Sequence, residues 1–494
     1  MSKNVRFQID LKVLKSLLAL CFVLLIFPWG SNLYKKPFVE DAWYGFSIAR
    51  NIANGFGITI DGFQATNGFQ PLQVIIDSFF YFISDSDDLA LALAFTFRVF
   101  IHIWSAVIFA NLAKHLNPRA KNERFYIFIF LIYLLNPAII SCALNGLETG
   151  LLLFLFLIFV RHFLSNSSQS FFIGRTNLYA IALIYTRIDM IIVILFILIW
   201  YFTFSSKRNA LQMSFVISAA IAPWFIWNFV NFGSVIPISG QQQLEPSIAL
   251  NRFAHLAKAV LYNASPWIGS NYDQDNLSLE VIFFLVRVLF LLWVILVLCL
   301  NLKFVTYNRL KENSPDIFLA IFLGLLTLSL YYGLMTFSTF FYQRYTILFA
   351  PFVLLLAMRG IGEVTESQKK IALVVLFISL LQYLIFYHSS RNENTLYENQ
   401  VKLVLKSIPK DQIVGARQSG TLGYFRDRVI NLDGKVNPRA PKDPFSMEIY
   451  LKNQSIDWLC DWPNQLQKIV ANYEKEWLIF SMNSSVTCLR RAPT

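Results

Sequence analysis

Glu40 and Asp41 form an acidic pair that opens the stretch EDAWYGFSIARNIANGFGITIDGFQATNGFQPL, Glu40 to Leu72. A carboxylate held just outside a membrane-spanning segment can take a proton from an acceptor hydroxyl where a lipid-linked substrate can reach it. The alternative role is local: Asp41 suits the N-cap of a helix that Asn54-Gly55 would end. Glu148, in NGLETG (Asn145–Gly150), stands either as a favourable charge at a helix start or as a ligand for sugar hydroxyls or a cation. Arg187 and Asp189, in YTRID, are two apart, a spacing at which helical residues pair only loosely. Arg187 and Arg344, the latter in FYQRY, fall on the external side of the topology that the other basic clusters dictate. Basic residues there need an anion, and a lipid phosphate suits a permanently charged guanidinium able to bond through two donors. A fifth stretch, RQSGTLGYFRDRVINLDGKVN (Arg417–Asn437), carries Gln418 and Asp433. It reads either as turn chemistry or as a face that closes over a membrane cavity and touches acceptor or sugar.

These groups must be carried by membrane elements. The chain has 494 residues, of which 56% are hydrophobic, 16% aromatic and only 15% charged. Soluble domains are usually about 45–50% apolar, so this is the composition of a polytopic membrane protein. The net charge of +12 is clustered at alternate ends of apolar segments, as membrane topology and anionic headgroups require, and points to no nucleic-acid partner. Of five cysteines, Cys460 and Cys488 lie in the C-terminal part, where a disulfide suits an extracytoplasmic compartment. Neither Cys nor His falls at metal-ligand spacing, so no metal site is expected, and a divalent cation stays open as a cofactor.

A ruler of about 20 residues per span and the positive-inside rule give about eleven transmembrane helices, in a range of ten to thirteen. They fall at residues 12–29, 89–113, 125–144, 150–164, 171–186, 190–205, 211–229, 278–302, 316–335, 344–358 and 370–388. Pro71–Ser84 is apolar but short and contains Asp77, so it reads as a juxtamembrane helix lying in the interface. Counting it as a span would put the later Lys and Arg clusters outside. The basic N-terminus reads as cytoplasmic and its first helix as uncleaved. The expected fold is an all-α membrane bundle over 1–388, with juxtamembrane helices in a first external loop (30–88) and a second external loop at 230–277. A small α/β soluble domain follows over 389–494, with strands at Ile413–Ala416, Arg428–Leu432 and Trp477–Phe480 and helices at Gln400–Ser407 and Ser446–Asn453.

In order along the chain, IARNIANGFGITIDGFQATNGFQPL, NGLETG, TRIDM, FGSVIPISG, QRY and QSGTLGYF…VINLDGKVN resemble the GT-C superfamily of integral-membrane glycosyltransferases. These use polyprenyl- or dolichyl-phosphate-linked sugars. More narrowly, the pieces look like a largely uncharacterised prokaryotic branch, and they cover residues 40 to 437. The resemblance implies that Asp41 is the catalytic base or acceptor-positioning group, with Glu40 beside it where many relatives have Asp-Asp. Beside them, the external Arg344 and Arg187 are expected to bind the donor phosphate, and Glu148, Asp189, Asn67, Gln70, Gln418 and Asp433 to bind sugar or acceptor. Many relatives have His at the position of Gln70 and a Lys where this loop has Gln241–Gln243, so neither a titrating role nor that phosphate contact carries over.

The expected activity is an inverting transfer of a monosaccharide from a polyprenyl-phosphate donor to a hydroxyl of a glycan, glycolipid or protein. It would take place at the outer face of the cytoplasmic (inner) membrane, with the C-terminal domain periplasmic or extracellular. The alternatives are a polysaccharide polymerase or ligase using diphosphate-linked glycans, and a lipid or solute transporter. Against a transporter, no internal repeat is visible.

Overall fold

The computed structural model describes residues 36–117, 123–165, 171–264, 317–360, 395–470, 476–483 and 485–492. The expected spans at 12–29, 278–302 and 370–388 lie outside the described residues.

Helix α1 (Glu40–Ala53) starts after Val39, whose extended backbone is its N-cap, so Asp41 sits in the first turn and does not cap. Two carboxylates in a first turn suit the positive end of the helix without a side-chain cap. Asn54 ends α1, and Gly55 follows at φ +80°, a conformation that favours glycine. Helix α2 (Pro71–Phe82) begins with a proline at its first position, where the missing N–H costs nothing, and packs on α1. Ser86 accepts from Leu89 N–H (3.2 Å) and caps α3 (Asp87–Leu116), whose 30 residues reach about 45 Å at 1.5 Å per residue.

The expected single span at 125–144 is two helices, α4 (Glu123–Leu134) and α5 (Pro137–Ala143), bent by 56°. The cause is Asn136-Pro137: proline keeps the residue before it out of helical conformation, and Asn136 then caps α5 by accepting from Ile139 N–H at 3.1 Å. After α6 (Thr149–Ser165), α7 (Phe171–Thr186), α8 (Met190–Phe204) and α9 (Lys207–Phe232), the second loop carries α10 (Ile238–Gln243) and α11 (Leu250–Ala264). Helix α12 (Ile317–Met335) follows. The span expected at 344–358 is also broken, into a single turn, α13 (Tyr342–Tyr345), and α14 (Phe349–Gly360).

Helix α3 is the axis of the bundle, packed against α2, α4, α6 and α14. Its Phe95, Val99 and Phe109 are buried with Phe130, Tyr133 and Phe156. Among the described residues, α3, α9 and α12 are long and apolar enough to cross a membrane, and the bent α4–α5 pair adds a fourth. Outward-facing Phe215, Ile226, Phe229 and Val230 on α9 are the side chains expected against lipid.

The C-terminal part is a small α/β unit. After helical residues 395–407 come β1 (Val414–Ala416), α15 (Gly420–Phe425), β2 (Val429–Asn431), α16 (Pro444–Asn453), β3 (Trp458–Asp461), α17 (Pro463–Ile469), β4 (Trp477–Met482) and β5 (Thr487–Arg491). The sheet order is β2-β1-β3-β5-β4, with β1 parallel to β2 and β3 and the β3–β5 and β5–β4 pairs antiparallel. Strands β3 and β5 were not among the sequence expectations. WLCD is a short, fully buried run without alternation, which periodicity does not distinguish from other core. Cys460 and Cys488 face each other across β3 and β5 and are joined by a disulfide.

Candidate active site

The C-terminal unit is locked onto α1. The Glu40 carboxylate is buried and accepts from Gly420 N–H (2.5 Å), Thr421 N–H (3.1 Å) and the Thr421 hydroxyl. Burial pushes the Glu40 carboxyl up to about 7, against the downward pull of these hydrogen bonds. One turn on, the Tyr44 hydroxyl donates to Arg417 O (3.3 Å) and accepts from Asn431 Nδ2 (3.2 Å). Trp43 packs against the rings of Tyr424 and Phe425, and Arg50 donates to Tyr424 O at 3.0 Å. Gly420 faces the Glu40 carbonyl so closely that a Cβ there would overlap it.

The same docking brings in a cation. The turn Asp433-Gly434-Lys435 is closed by Lys435 N–H donating to Asp433 Oδ1 at 2.8 Å. It projects Lys435 Nζ to 3.4 Å from Asp41 and 3.7 Å from Asp433. Gly68 of the first loop lies against the Lys435 carbonyl with no room for a Cβ. Burial raises the Asp41 carboxyl, but the charges of Lys435 and Arg344 outweigh it and hold Asp41 below the usual carboxylate range. Asp41 is therefore ionised at neutral pH. Asp433, more deeply enclosed, is raised by burial in spite of Lys435.

Asp41 and Lys435 open into a cavity of about 410 Å³, which also presents Gln70, Gln73, Glu148, Arg187, Asp189 and Arg344. Phe69, Val74, Ile191, Ile192 and Phe225 make part of its lining apolar. Arg187 and Asp189, expected to pair only loosely, are a tight ion pair. The reason is that α7 ends at Thr186 and α8 starts at Met190, so both residues sit in a turn where helical spacing does not apply. Glu148 is 3.9 Å from Arg187, and Arg187 also donates to the Arg344 carbonyl at 3.2 Å. Tyr332 donates to Asp189 at 2.5 Å and stacks on Tyr345. Arg344 lies against the rings of Phe341 and Tyr345, at 5.1 and 5.2 Å. Among the described residues no carboxylate is within ion-pair distance of Arg344, and its Nε has no hydrogen-bond partner.

Every carboxylate here already faces a cation: Asp41 faces Lys435, and Glu148 and Asp189 face Arg187. Among the described residues no three of His, Cys, Asp and Glu gather as a metal site. That donor set does not fit a divalent cation.

No protein-family model matches the sequence, and no curated protein matches it. By structure the chain is similar to ArnT from Cupriavidus metallidurans bound to undecaprenyl phosphate, with TM-score 0.63, 10% identity, and 98% of this chain and 100% of ArnT covered. The apo state of the same ArnT gives TM-score 0.61 at the same identity and coverage. An oligosaccharyltransferase from Archaeoglobus fulgidus, tethered with an acceptor peptide, gives 0.48 at 11% identity, over 98% of this chain and 74% of that one. The chain has the GT-C fold.

Within this GT-C fold, the cavity unites Asp41, Arg344, Arg187, Glu148, Asp189 and Gln70 from the residues singled out in the sequence. Four others stand behind its wall. Glu40 holds the C-terminal unit, and Asp433 backs Lys435. Asn67 accepts from Ile238 N–H (3.0 Å) and donates to Asn228 (3.1 Å), tying the first loop to α9 and α10. Gln418 N–H donates to Asp461 at 3.0 Å and its carbonyl accepts from Gln400 at 3.1 Å, within the C-terminal unit. Sequence reasoning passed over Lys435, although it stands in the quoted LDGKVN run, and over Gln73. It also took Asp77 for an interfacial charge. Asp77 is buried and paired through both oxygens with Arg98 (2.9 and 2.7 Å), which also holds the Gly146 carbonyl at 2.8 Å.

Proposed function

We propose that this GT-C chain is an inverting glycosyltransferase that moves a monosaccharide from a polyprenyl-phosphate donor to a hydroxyl of a glycan, lipid or protein acceptor. The observation that carries the reading is that an ionised carboxylate, Asp41, and a guanidinium without a carboxylate partner among the described residues, Arg344, face one cavity that also has an apolar stretch of wall. The acceptor oxygen bonds to the anomeric carbon and its proton passes to Asp41. The bond from that carbon to the phosphate oxygen breaks, and its electron pair leaves with the polyprenyl phosphate. Arg344 takes up the charge that develops there, in a site where low dielectric strengthens the contact. Arg187, already compensated by Asp189 and Glu148, holds the Arg344 backbone. A single cation without a carboxylate partner among the described residues of the lining suits a monophosphate donor better than a diphosphate-linked glycan.

In this reading about eleven spans cross the cytoplasmic membrane, the N-terminus is cytoplasmic, and residues 389–494 form the outer domain over a transmembrane unit of 1–388. The test uses purified full-length protein with decaprenyl-phosphate-linked monosaccharides and extracted envelope glycolipids as acceptors. Folded Asp41→Asn is expected to lose transfer by about 10²–10⁴-fold, the range for a positioned general base. Full transfer by that variant would remove Asp41 from the chemistry.

A further inference from the structure

Helix α2 carries a polar stripe that faces the cavity. Gln70, at its N-cap, Gln73 and Asp77 fall at i, i+3 and i+7, on one helical face, and all three line the cavity. Asp77 is satisfied by Arg98. The two amides are not. Gln73 is only 5% exposed and, among the described residues, its Nε2 has no hydrogen-bond partner; Gln70 Oε1 has none there either. Elsewhere on the lining, Asp189 Oδ1 and Arg344 Nε are also without a partner among the described residues. Leaving a polar group buried and unsatisfied costs about 1–3 kcal/mol, so leucine or methionine at 73 would serve the fold better. A residue kept against the interest of the fold points to a ligand.

The chemistry of that ligand follows from the side chain. A carboxamide is uncharged and offers a donor beside an acceptor, which matches neighbouring hydroxyls that each both give and accept a hydrogen bond. It matches neither an isoprenoid chain nor a phosphate, for which Arg344 is the better partner. We propose that Gln73, together with Gln70, forms a subsite for the hydroxyl groups of the donor's sugar and sets which sugar is taken. This rests on the reading of the cavity as a donor site.

The experiment measures dissociation constants of the full-length protein in nanodiscs for decaprenyl phosphate and for decaprenyl-phosphate-linked mannose, glucose, galactose and arabinose. The wild type is expected to prefer at least one sugar-linked lipid over bare decaprenyl phosphate. Gln73→Leu is expected to lose about tenfold of that preference, near 1.4 kcal/mol, while binding bare lipid within about twofold of wild type. Its melting temperature should be equal or higher, which separates ligand reading from a structural role. If Gln73→Leu fails to fold, Gln73→Met and Gln70→Leu make the same comparison. Unchanged sugar preference in the folded variants overturns the subsite. A wild type that binds decaprenyl phosphate but prefers no sugar-linked probe also overturns it while leaving the phosphate site standing. Binding to no probe at all sinks the donor-site reading itself.

Discussion

Asp41 is held between two opposing influences, and Lys435 decides the outcome. Burial alone would raise the carboxyl, and the neighbouring charges of Lys435 and Arg344 bring it below its ordinary value. Lys435 is raised in turn, chiefly by Asp41. An acid with a lowered pKa keeps its charge as pH falls until the medium drops below the usual carboxylate range, so transfer should be insensitive to pH around neutrality. Lys435→Met removes the larger compensating charge and leaves desolvation. The acid limb of the pH–rate profile is then expected to move upward, measured as kcat/KM against pH; a limb that stays in place would show that Lys435 does not set Asp41. Asp41 itself was legible in the sequence, because an acidic pair beside a membrane segment is costly and conspicuous. Lys435 was not, because one lysine in a turn-rich stretch resembles any solvated charge until its distant partner is known.

At the scale of elements, α1 divides its acidic pair between two tasks. Adjacent residues on a helix point about 100° apart, so Asp41 faces the cavity while Glu40 grips residues 420 and 421. The Glu40 carboxyl is raised from 4.5 to about 7 by burial. The sign follows directly: a raised group favours the docked form fully below the unfolded value, and that contribution is lost as pH rises through about 7. Hydrogen-exchange protection over residues 417–425 should therefore decline as pH rises across that window in the wild type, and Glu40→Gln should flatten the decline. An unchanged slope in Glu40→Gln would assign the effect to another group. The helices that carry these residues were legible as apolar segments with charged ends. The breaks were harder to read. The bend at Asn136-Pro137 and the break between Tyr345 and Phe349 lie inside runs that hydropathy averages into continuous spans, and only local backbone geometry interrupts them.

At the scale of the whole molecule, the GT-C fold joins an apolar bundle to a small sheet with an apolar cluster on each face, and the Cys460–Cys488 disulfide lies in one of them. Cys460 and Cys488 are separated by 28 residues, and closing a loop of that order commonly contributes about 2–4 kcal/mol. Replacing both by serine should lower the melting temperature of the C-terminal unit and, because that unit carries Lys435, reduce transfer more than it reduces membrane insertion. Calorimetry alongside the transfer assay would separate the two effects; equal melting with and without the bridge would rule out a stabilising role.

The lock between Glu40 and Gly420 spans 380 positions of the chain. A ribosome finishes the acidic helix long before it reaches the lysine that must face it. If Asp41 and Lys435 work together as proposed, the nascent protein lacks a complete site until residues 417–437 have folded onto α1. On that reading, copies truncated before residue 420 lose both the Glu40 lock and Lys435 and are expected to carry out no transfer.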